Sequence, residues 1–501
     1  MTWADVNDVL AAGGLLRRGP VGRWEGDVTG IAYDSRRVGR GEIFVALKGA
    51  REDAANFVGD AVARGAAAIV SELPALPGAG APWISVTDGR LSLALLADRF
   101  YRHPSGELQV VGVTGTNGKT TTAYLVASIF EAARVKCGLI GTVSYRVANQ
   151  TREASHTTPE APELQSMMRE MVDRGCGACA MEVSSHALSL RRVDGVTYAA
   201  AIFTNLTRDH LDFHADMEAY FLAKRRLFEM LPAGAPSAIN LDDPRGAALM
   251  EAGGRPITYA VNRAADITPG PLSFSLGGLT FDIRTPRGSV HVDSPLVGRP
   301  NVYNILAAVS TTTALGMAFD AIEEGVSALR GVPGRFEVVS EPQDDVTVVV
   351  DYAHTDDALR NLLETARPLT SGRLITMFGC GGERDRTKRP LMGAVAGKLS
   401  DLVVITSDNP RGEDPARIVE DIQRGITPDT RRDAGQRILA IVDRAEAVAK
   451  AIELAKPGDV VLLAGKGHEK YQIVGSRSIP FDDRAAARDA LDRRRSNSGV
   501  V

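Results

Sequence analysis

Long apolar runs are missing from this 501-residue chain. No uninterrupted stretch approaches the ~20 residues that a membrane helix needs, so a membrane-spanning role is not expected. Cysteine is scarce: the four present make no disulfide framework and fit a reducing compartment. A strong excess of one charge is also lacking. The 58 Lys and Arg against 62 Asp and Glu leave −4, so no broad basic field draws the chain to nucleic acid or anionic lipid. The start, Met1-Thr2-Trp3-Ala4-Asp5, has neither the basic residues nor the apolar core of a secretory signal. No internal repeat is visible. A cytoplasmic monomer is the expectation.

What is there is ordinary globular material, 44% hydrophobic and 24% charged, long enough for about three domains each with its own core. Cys176 and Cys179 form one CxxC, but no second pair or matching histidines accompany it. Ala178-Cys179-Ala180-Met181 reads as a buried strand, so two small core side chains are expected there rather than a zinc or redox site.

The most informative run lies between Gly112 and Thr122. An apolar stretch, Leu108 to Val113, leads into Gly112, Gly115 and Gly118 at spacing three, then Lys119 and Thr120, and a helix-permissive segment follows. Strand, glycine-rich turn and helix aim backbone N–H groups and a positive helix end at a phosphate chain. Lys119 reaches the β- and γ-phosphates in such a loop, and the Thr120 hydroxyl ligates Mg²⁺. Val113 stands where the commonest form of the motif has Gly, so this is a variant loop. A nucleoside triphosphate site is implied.

The fold class expected is α/β in three domains. Residues 1–105 read as a small α/β domain with strand-like runs at Ile43–Leu47 and Ala67–Val70, ending at the breaker cluster His103-Pro104-Ser105-Gly106. Residues 106–332 read as a P-loop-type ATPase domain with a mostly parallel sheet. Alternating apolar residues between Thr268 and Pro300 add antiparallel hairpins to it. Residues 333–501 read as a doubly wound, Rossmann-like domain. Its apolar strands at 346–350, 374–378, 402–406, 438–442 and 460–464 alternate with helices, the mark of a parallel sheet covered on both faces. Ligand-bearing residues belong just past such strand ends. There lie Asp351-Tyr352-Ala353-His354, Gly379-Cys380-Gly381-Gly382, Ser407-Asp408-Asn409-Pro410-Arg411 and Gly465-Lys466-Gly467-His468-Glu469. The polar tail from Arg493 to Val501 is expected to be disordered.

Two further runs sit where neighbours of a phosphate loop belong. Met181-Glu182-Val183-Ser184-Ser185-His186 follows one buried strand, and Asn205-Leu206-Thr207-Arg208-Asp209-His210-Leu211-Asp212 follows another. Glu182 suits a Mg²⁺ bridging the terminal phosphates, and His210 is a less usual second ligand for so hard an ion.

Thr114-Gly115-Thr116-Asn117-Gly118-Lys119-Thr120, Glu182-Val183-Ser184-Ser185-His186 and Asn205 to Asp212 together resemble the Mur ligase family. So do Arg299-Pro300-Asn301, Pro333-Gly334-Arg335-Phe336-Glu337 and Asp351-Tyr352-Ala353-His354. The resemblance runs from about residue 30 to residue 484. It implies an ATP-dependent amide-forming enzyme of peptidoglycan precursor synthesis, most similar to the members that add the third stem-peptide residue to UDP-N-acetylmuramoyl-L-alanyl-D-glutamate. The implied chemistry is attack of the D-Glu side-chain carboxylate on the ATP γ-phosphate, then displacement of phosphate from the acyl phosphate by an amine. Such an intermediate requires a cleft that excludes water.

By family position, Gly115, Thr116, Asn117, Gly118, Lys119, Thr120 and Thr121 hold ATP, with Asn301 and His354 on the nucleotide and Arg335 on the γ-phosphate. Glu182, His210, Lys119 and Lys224 carry the catalysis. Lys224, on the amphipathic run Tyr220 to Phe228, is the lysine that the family carbamylates with CO₂. As a carbamate it joins Thr120, Glu182 and His210 as a metal ligand, whereas an ammonium would repel Mg²⁺.

The UDP-sugar-dipeptide is assigned to Ser35 in Asp34-Ser35-Arg36, to Thr157 and Thr158 before Pro159-Glu160, and to Ser184 and Arg192. Leu190 departs from the Gln that many relatives carry, which puts one polar contact in doubt. Asp356 replaces a common Pro. The amine site is assigned to Arg389, Asp408, Asn409, Pro410, Arg411, Gly465 and Glu469. Arg after Asp408-Asn409-Pro410 marks relatives that add meso-diaminopimelate, whose extra carboxylate an Arg fork can clasp. An L-lysine-adding ligase, a folylpolyglutamate synthase-like ligase and an ATP-hydrolysing switch without ligase activity are the rival readings.

Overall fold

A computed structural model of the chain describes residues 1–48, 54–432 and 435–498. Near the N-terminus, a five-stranded sheet runs in the order Leu16–Val21, Trp83–Val86, Ala68–Ser71, Glu42–Ala46, Gly30–Ala32. All neighbours are parallel except the first pair. The Ala68–Ser71 and Trp83–Val86 strands are buried throughout, the expected result for parallel strands covered on both faces.

The phosphate-loop strand, Gln109–Thr114, lies inside an eight-stranded sheet. Ala178–Glu182 and Ala200–Phe203 flank it in parallel. Val113 is fully buried and pairs with Glu182 on one side and Ile202 on the other. The departure from the commoner motif is therefore a strand residue, not part of the turn. Helix Lys119–Ala132 packs Leu125, Val126, Ile129 and Phe130 against the sheet and the helices Arg299–Ala314 and Phe319–Ala328. Burying each such side chain stabilises the layer by roughly 1.5–3 kcal/mol. The hairpins expected between Thr268 and Pro300 are present as a four-stranded antiparallel sheet.

The last sheet has six strands, in the order Glu337–Val338, Thr347–Asp351, Val460–Ala464, Leu374–Phe378, Leu402–Ile405, Arg437–Ala440. Only its two-residue edge strand is antiparallel. Separate apolar clusters cover its two faces, as a doubly wound sheet requires. Every loop that the sequence marks as ligand-bearing leaves the carboxyl end of one of these parallel strands.

Two features differ from expectation. The tail is helical: Asp483–Ser498 is one helix, and residues 499–501 lie outside the described residues. Its polar sequence hides a narrow apolar stripe, Ala487, Ala490 and Leu491, that packs with the cluster around helix Arg444–Leu454. Arg494 fixes its last turns by pairing with Asp345 at 2.7 Å and donating to the Ala455 carbonyl at 2.8 Å. The hairpin Ser144–Val147/Gln150–Glu153 was not foreseen either, because its outer strand is exposed and wholly polar. Cys176 and Cys179 are buried free thiols, and among the described residues no group of three metal-ligating side chains forms. No helix among the described residues is long and apolar enough to cross a membrane.

Candidate active site

The phosphate loop is braced from the next strand. Asn205 accepts from Asn117 N–H through its side-chain oxygen at 2.9 Å, and its carbonyl accepts from Thr116 N–H at 2.8 Å. The Thr204 hydroxyl donates to the Asn117 carbonyl at 2.6 Å. Gly118 caps helix Lys119–Ala132 with φ of 85°, a left-handed conformation that glycine adopts without steric cost. Lys119 Nζ curls onto its own loop, donating to the carbonyls of Gly115 at 3.0 Å and Thr116 at 2.8 Å. Burial lowers the pKa of that ammonium, while Glu182 and Asp209 act in the opposite direction.

Lys224 approaches the loop from behind. It lies on helix Met217–Glu229, is 1% exposed, and donates from Nζ to the Gly115 carbonyl at 2.7 Å. Burial, and then the neighbouring Lys119 charge, push its pKa well below the ordinary lysine value. Glu182 is equally buried, and its two oxygens accept from the Thr142 N–H at 2.8 Å and hydroxyl at 3.0 Å. His210 has a positive φ of 54°, stands edge-on to His186 at 4.8 Å, and is held down to about 3 chiefly by burial. Both imidazoles are thus neutral at neutral pH, the form that can ligate a cation.

The C-terminal sheet closes the site from the other side. Arg335 donates to the Thr120 hydroxyl at 3.1 Å, and Asn117 Nδ2 donates to Asp357 at 2.9 Å. Arg208 pairs with Asp385 at 3.0 Å, and His354 Nε2 stands 4.0 Å from Asp209. A cleft of about 890 Å³ lies between the two parts, carrying Thr157, Asp209 and His210 on one wall and His354, Arg411 and Glu469 on the other. Asn301 is turned to its own helix start, donating to the Val297 carbonyl at 2.8 Å and accepting from Asn304 at 2.9 Å.

The residues assigned to the sugar-peptide form one network. Thr158 donates to the Glu182 carbonyl at 2.8 Å and accepts from Ser184 N–H at 3.1 Å. Arg192 donates to the Thr158 carbonyl at 3.0 Å and pairs with Glu160 at 2.9 Å. Thr157 meets the Thr142 hydroxyl at 3.0 Å. Ser35 sits on a separate turn, Ser35–Arg37, after the strand Gly30–Ala32. Tyr33 holds that region to the central part by donating to Glu163 at 3.1 Å.

At the amine site, Arg411 donates from Nη1 to the Gly382 carbonyl at 2.8 Å, and no carboxylate among the described residues pairs with it. The same nitrogen also lies 3.4 Å from the Asn409 carbonyl. Asn409 donates to Glu469 at 2.9 Å, so Asp408, Asn409, Arg411, Gly465 and Glu469 are brought together with Pro410 in the same loop. Arg389 is 1% exposed, pairs with Glu413 and Asp421, both at 2.9 Å, and donates to the carbonyl of the cleft residue Gly381 at 3.3 Å. Two residues were missed. Lys466, fully buried, joins Asp408 at 3.2 Å, Asn409 at 3.0 Å and Glu469 at 3.2 Å. Burial would raise the Asp408 carboxyl, but the charge and hydrogen bond of Lys466 together with the Arg444 charge outweigh it and hold the carboxyl low. The strand-end position of Lys466 was a usable signal; Thr142, the second missed residue, had none.

The sequence matches three family descriptions: Mur ligase family, catalytic domain, over residues 27–101; Mur ligase middle domain over 113–312; and Mur ligase, glutamate ligase domain, over 334–467. A protein of Gloeobacter violaceus named UDP-N-acetylmuramoyl-L-alanyl-D-glutamate–2,6-diaminopimelate ligase is 49% identical, covering 94% of this chain and 95% of its own. One of the same name from Solibacter usitatus is 48% identical, covering 93% and 94%. A solved structure of that name superposes with a TM-score of 0.65 at 36% identity, covering 93% of this chain and 95% of its own.

Proposed function

This chain belongs to the Mur ligase family, and on that premise we propose that it joins meso-2,6-diaminopimelate to the D-Glu side-chain carboxylate of UDP-N-acetylmuramoyl-L-Ala-D-Glu, with ATP converted to ADP and phosphate. The observation that carries the choice of amine is Arg411. Its guanidinium lines the cleft, and among the described residues no carboxylate pairs with it. The distal carboxylate of diaminopimelate supplies that partner, bidentate and charge-assisted. Lysine lacks it, and a site built on such a contact rejects the analogue by roughly 10⁴-fold.

The residues divide the work between the two steps. Lys119, with the loop N–H groups that Asn205 does not occupy, receives the ATP phosphates, and Arg335 meets the γ-phosphate from the opposite wall. A D-Glu carboxylate oxygen bonds to the γ-phosphorus as the bond to ADP breaks. The amine nitrogen then bonds to the acyl carbon, phosphate leaves with the bonding pair, and the nitrogen gives up a proton. Asn409, Glu469 and Arg411 hold the amino acid, and the closed walls exclude water that would hydrolyse the acyl phosphate.

The residues present fit a magnesium ion. Each Glu182 oxygen keeps a lone pair after its bond to Thr142. Glu182 and the Thr120 hydroxyl would hold it, and since no three metal-ligating side chains gather among the described residues, substrate phosphate oxygens would supply further ligands. Bound Mg²⁺ supplies charge neutralisation at the transferring phosphoryl group. Lys224 fits carbamylation: burial and the Lys119 charge favour its neutral amine, the form that makes an N–C bond with CO₂ and releases a proton. The carbamate nitrogen keeps an N–H for the Gly115 carbonyl that it already bonds. ATP and a UDP-linked substrate support a cytoplasmic reaction, and the cleft lining drawn from one chain supports a monomer as the working state.

The test is phosphate release with ATP, Mg²⁺ and the UDP-muramoyl-dipeptide, adding meso-diaminopimelate, L-lysine or no amine, with product mass. Release and a tripeptide only with diaminopimelate is the expected result. Equal use of lysine overturns the specificity, and amine-independent release overturns the ligase.

A further inference from the structure

Tyr471–Val474 and Arg477–Pro480 pair as an antiparallel hairpin, a two-stranded sheet of its own. Its outer strand is exposed at every position, so little burial holds it in place. A lone hairpin of this kind is marginally stable in water. What it lies against is the loop that carries Asp408, Asn409 and Arg411.

Four hydrogen bonds run along that contact. Arg411 N–H donates to the Ile473 carbonyl at 3.0 Å, and Gly475 N–H donates to the Arg411 carbonyl at 2.7 Å. Ile473 N–H donates to the Asn409 side-chain oxygen at 3.0 Å, and Gln472 Nε2 donates to the Asp408 carbonyl at 2.8 Å. One strand thus holds both backbone groups of Arg411, in the pattern of a parallel bridge to Val474.

Arg411 needs that hold. Its φ is 51°, a left-handed backbone that costs energy for a residue with a Cβ. Such a conformation persists only where the surroundings over-determine it. It also sets the direction in which the side chain leaves the loop, with Nη1 on the Gly382 carbonyl and Arg411 lining the cleft. Tyr471 lines the cleft as well, whereas Gln472, Ile473 and Gly475 do not. Those three act on a ligand only through the residues they hold.

We propose that the hairpin Tyr471–Pro480 is a specificity device, in which Gln472 and Gly475 are positioning residues that lock Arg411 in its left-handed conformation and aim its guanidinium at the distal carboxylate of the amino-acid substrate. The inference rests on the assignment of that carboxylate to Arg411 above. Loosening the hairpin costs the choice between amines and spares phosphoryl transfer.

The turn supplies the handle. Gly475 has φ 59°, and a Cβ built there meets no described atom within 4 Å, so a substitution strains the backbone without a clash. Steady-state kinetics of the full chain with meso-diaminopimelate and with L-lysine are the test. Gly475→Val places a β-branched residue where positive φ is a genuine outlier. It is expected to raise KM for diaminopimelate by about 10–100-fold, with kcat and KM for ATP near wild type. Preference for diaminopimelate over lysine falls by a similar factor. Gly475→Asn, a residue that such turns accept, keeps the wild-type preference. Gln472→Met keeps the side-chain length without the N–H and lowers the preference in the same direction, which serves if Gly475→Val does not fold. Wild-type preference in Gln472→Met and in folded Gly475→Val overturns the proposal. So does an equal loss with both amines, or a fall in kcat with KM unchanged, since either makes the hairpin a structural support only. Equal use of the two amines by the wild-type chain sinks the reading of Arg411 itself, a separate outcome seen before any variant is made.

Discussion

Arg335 donates to the hydroxyl of Thr120 across 3.1 Å, joining the first residues after the central part to the phosphate loop 215 positions earlier in the chain. The guanidinium carbon stands over the Tyr352 ring, 4.5 Å from its centroid, a cation–π contact that helps to fix its position. Arg335→Lys keeps the charge and loses the planar fork. It is expected to lower kcat by roughly 10²–10³-fold with KM for the UDP-sugar little changed. Steady-state kinetics with each substrate varied in turn check this, and an unaltered kcat would remove Arg335 from the γ-phosphate role.

Arg411→Ala removes a cleft cation that pairs with no carboxylate among the described residues. Truncating one side of such a charge pair costs about 2–5 kcal/mol, so kcat/KM for meso-diaminopimelate falls by at least ~30-fold while KM for ATP holds. If diaminopimelate and lysine are used by the variant in the wild-type ratio, another residue sets the choice.

Lys224→Met keeps the volume and removes the amine. The rate is expected to fall by about 10³-fold while the melting temperature holds or rises, because a buried ammonium is costly to desolvate. Wild-type activity is expected to drop in CO₂-depleted buffer and return with bicarbonate, with one CO₂ added to the intact mass. A rate indifferent to bicarbonate would argue for an unmodified lysine.

His468 is held down to about 4 by burial first, then by Arg335 and, more weakly, Arg484, against the Thr142 carbonyl. The unfolded chain therefore binds the proton more readily, and stability present above pH 6.5 is lost as pH falls towards 4. His468→Gln cannot titrate, so its melting temperature should decline less steeply than the wild type across that window. Parallel curves would mean that the ring is not buried as described.

Arg444 and Asp483 are both fully buried, paired at 2.6 Å beneath the strand ends that carry Ser407 and Ala464. Arg444→Leu leaves Asp483 unpaired and is expected to cost about 3–5 kcal/mol. Adding Asp483→Leu recovers much of it. Denaturant unfolding of the two variants checks the pair, and equal stabilities would show that the charge is hydrated after all.

Much of the fold was legible. A period of strand and helix with near-continuous apolar strands states a parallel sheet, and such a sheet puts its loops at one edge. That reasoning located Lys119, Glu182, His210 and the Asp408–Arg411 loop. The edge strand Gln150–Glu153 and the final helix were not legible, since both are stabilised by what they lie against. The polar residues of that helix conceal an apolar stripe only three residues wide.

The sequence by itself determined which chemical groups are present and which loops carry them, because strand period, glycine spacing and helix amphipathicity are local properties of the chain. Only the tertiary structure decided which of those groups meet. Arg389 and Arg411 are alike in sequence, yet Glu413 and Asp421 pair with one, while no carboxylate among the described residues pairs with the other. Lys466 and Thr142 became central through partners far away in the chain, Asp408 and Glu182 among them. Pairing of buried charges depends on three-dimensional neighbours and on the desolvation they share, which no linear pattern encodes.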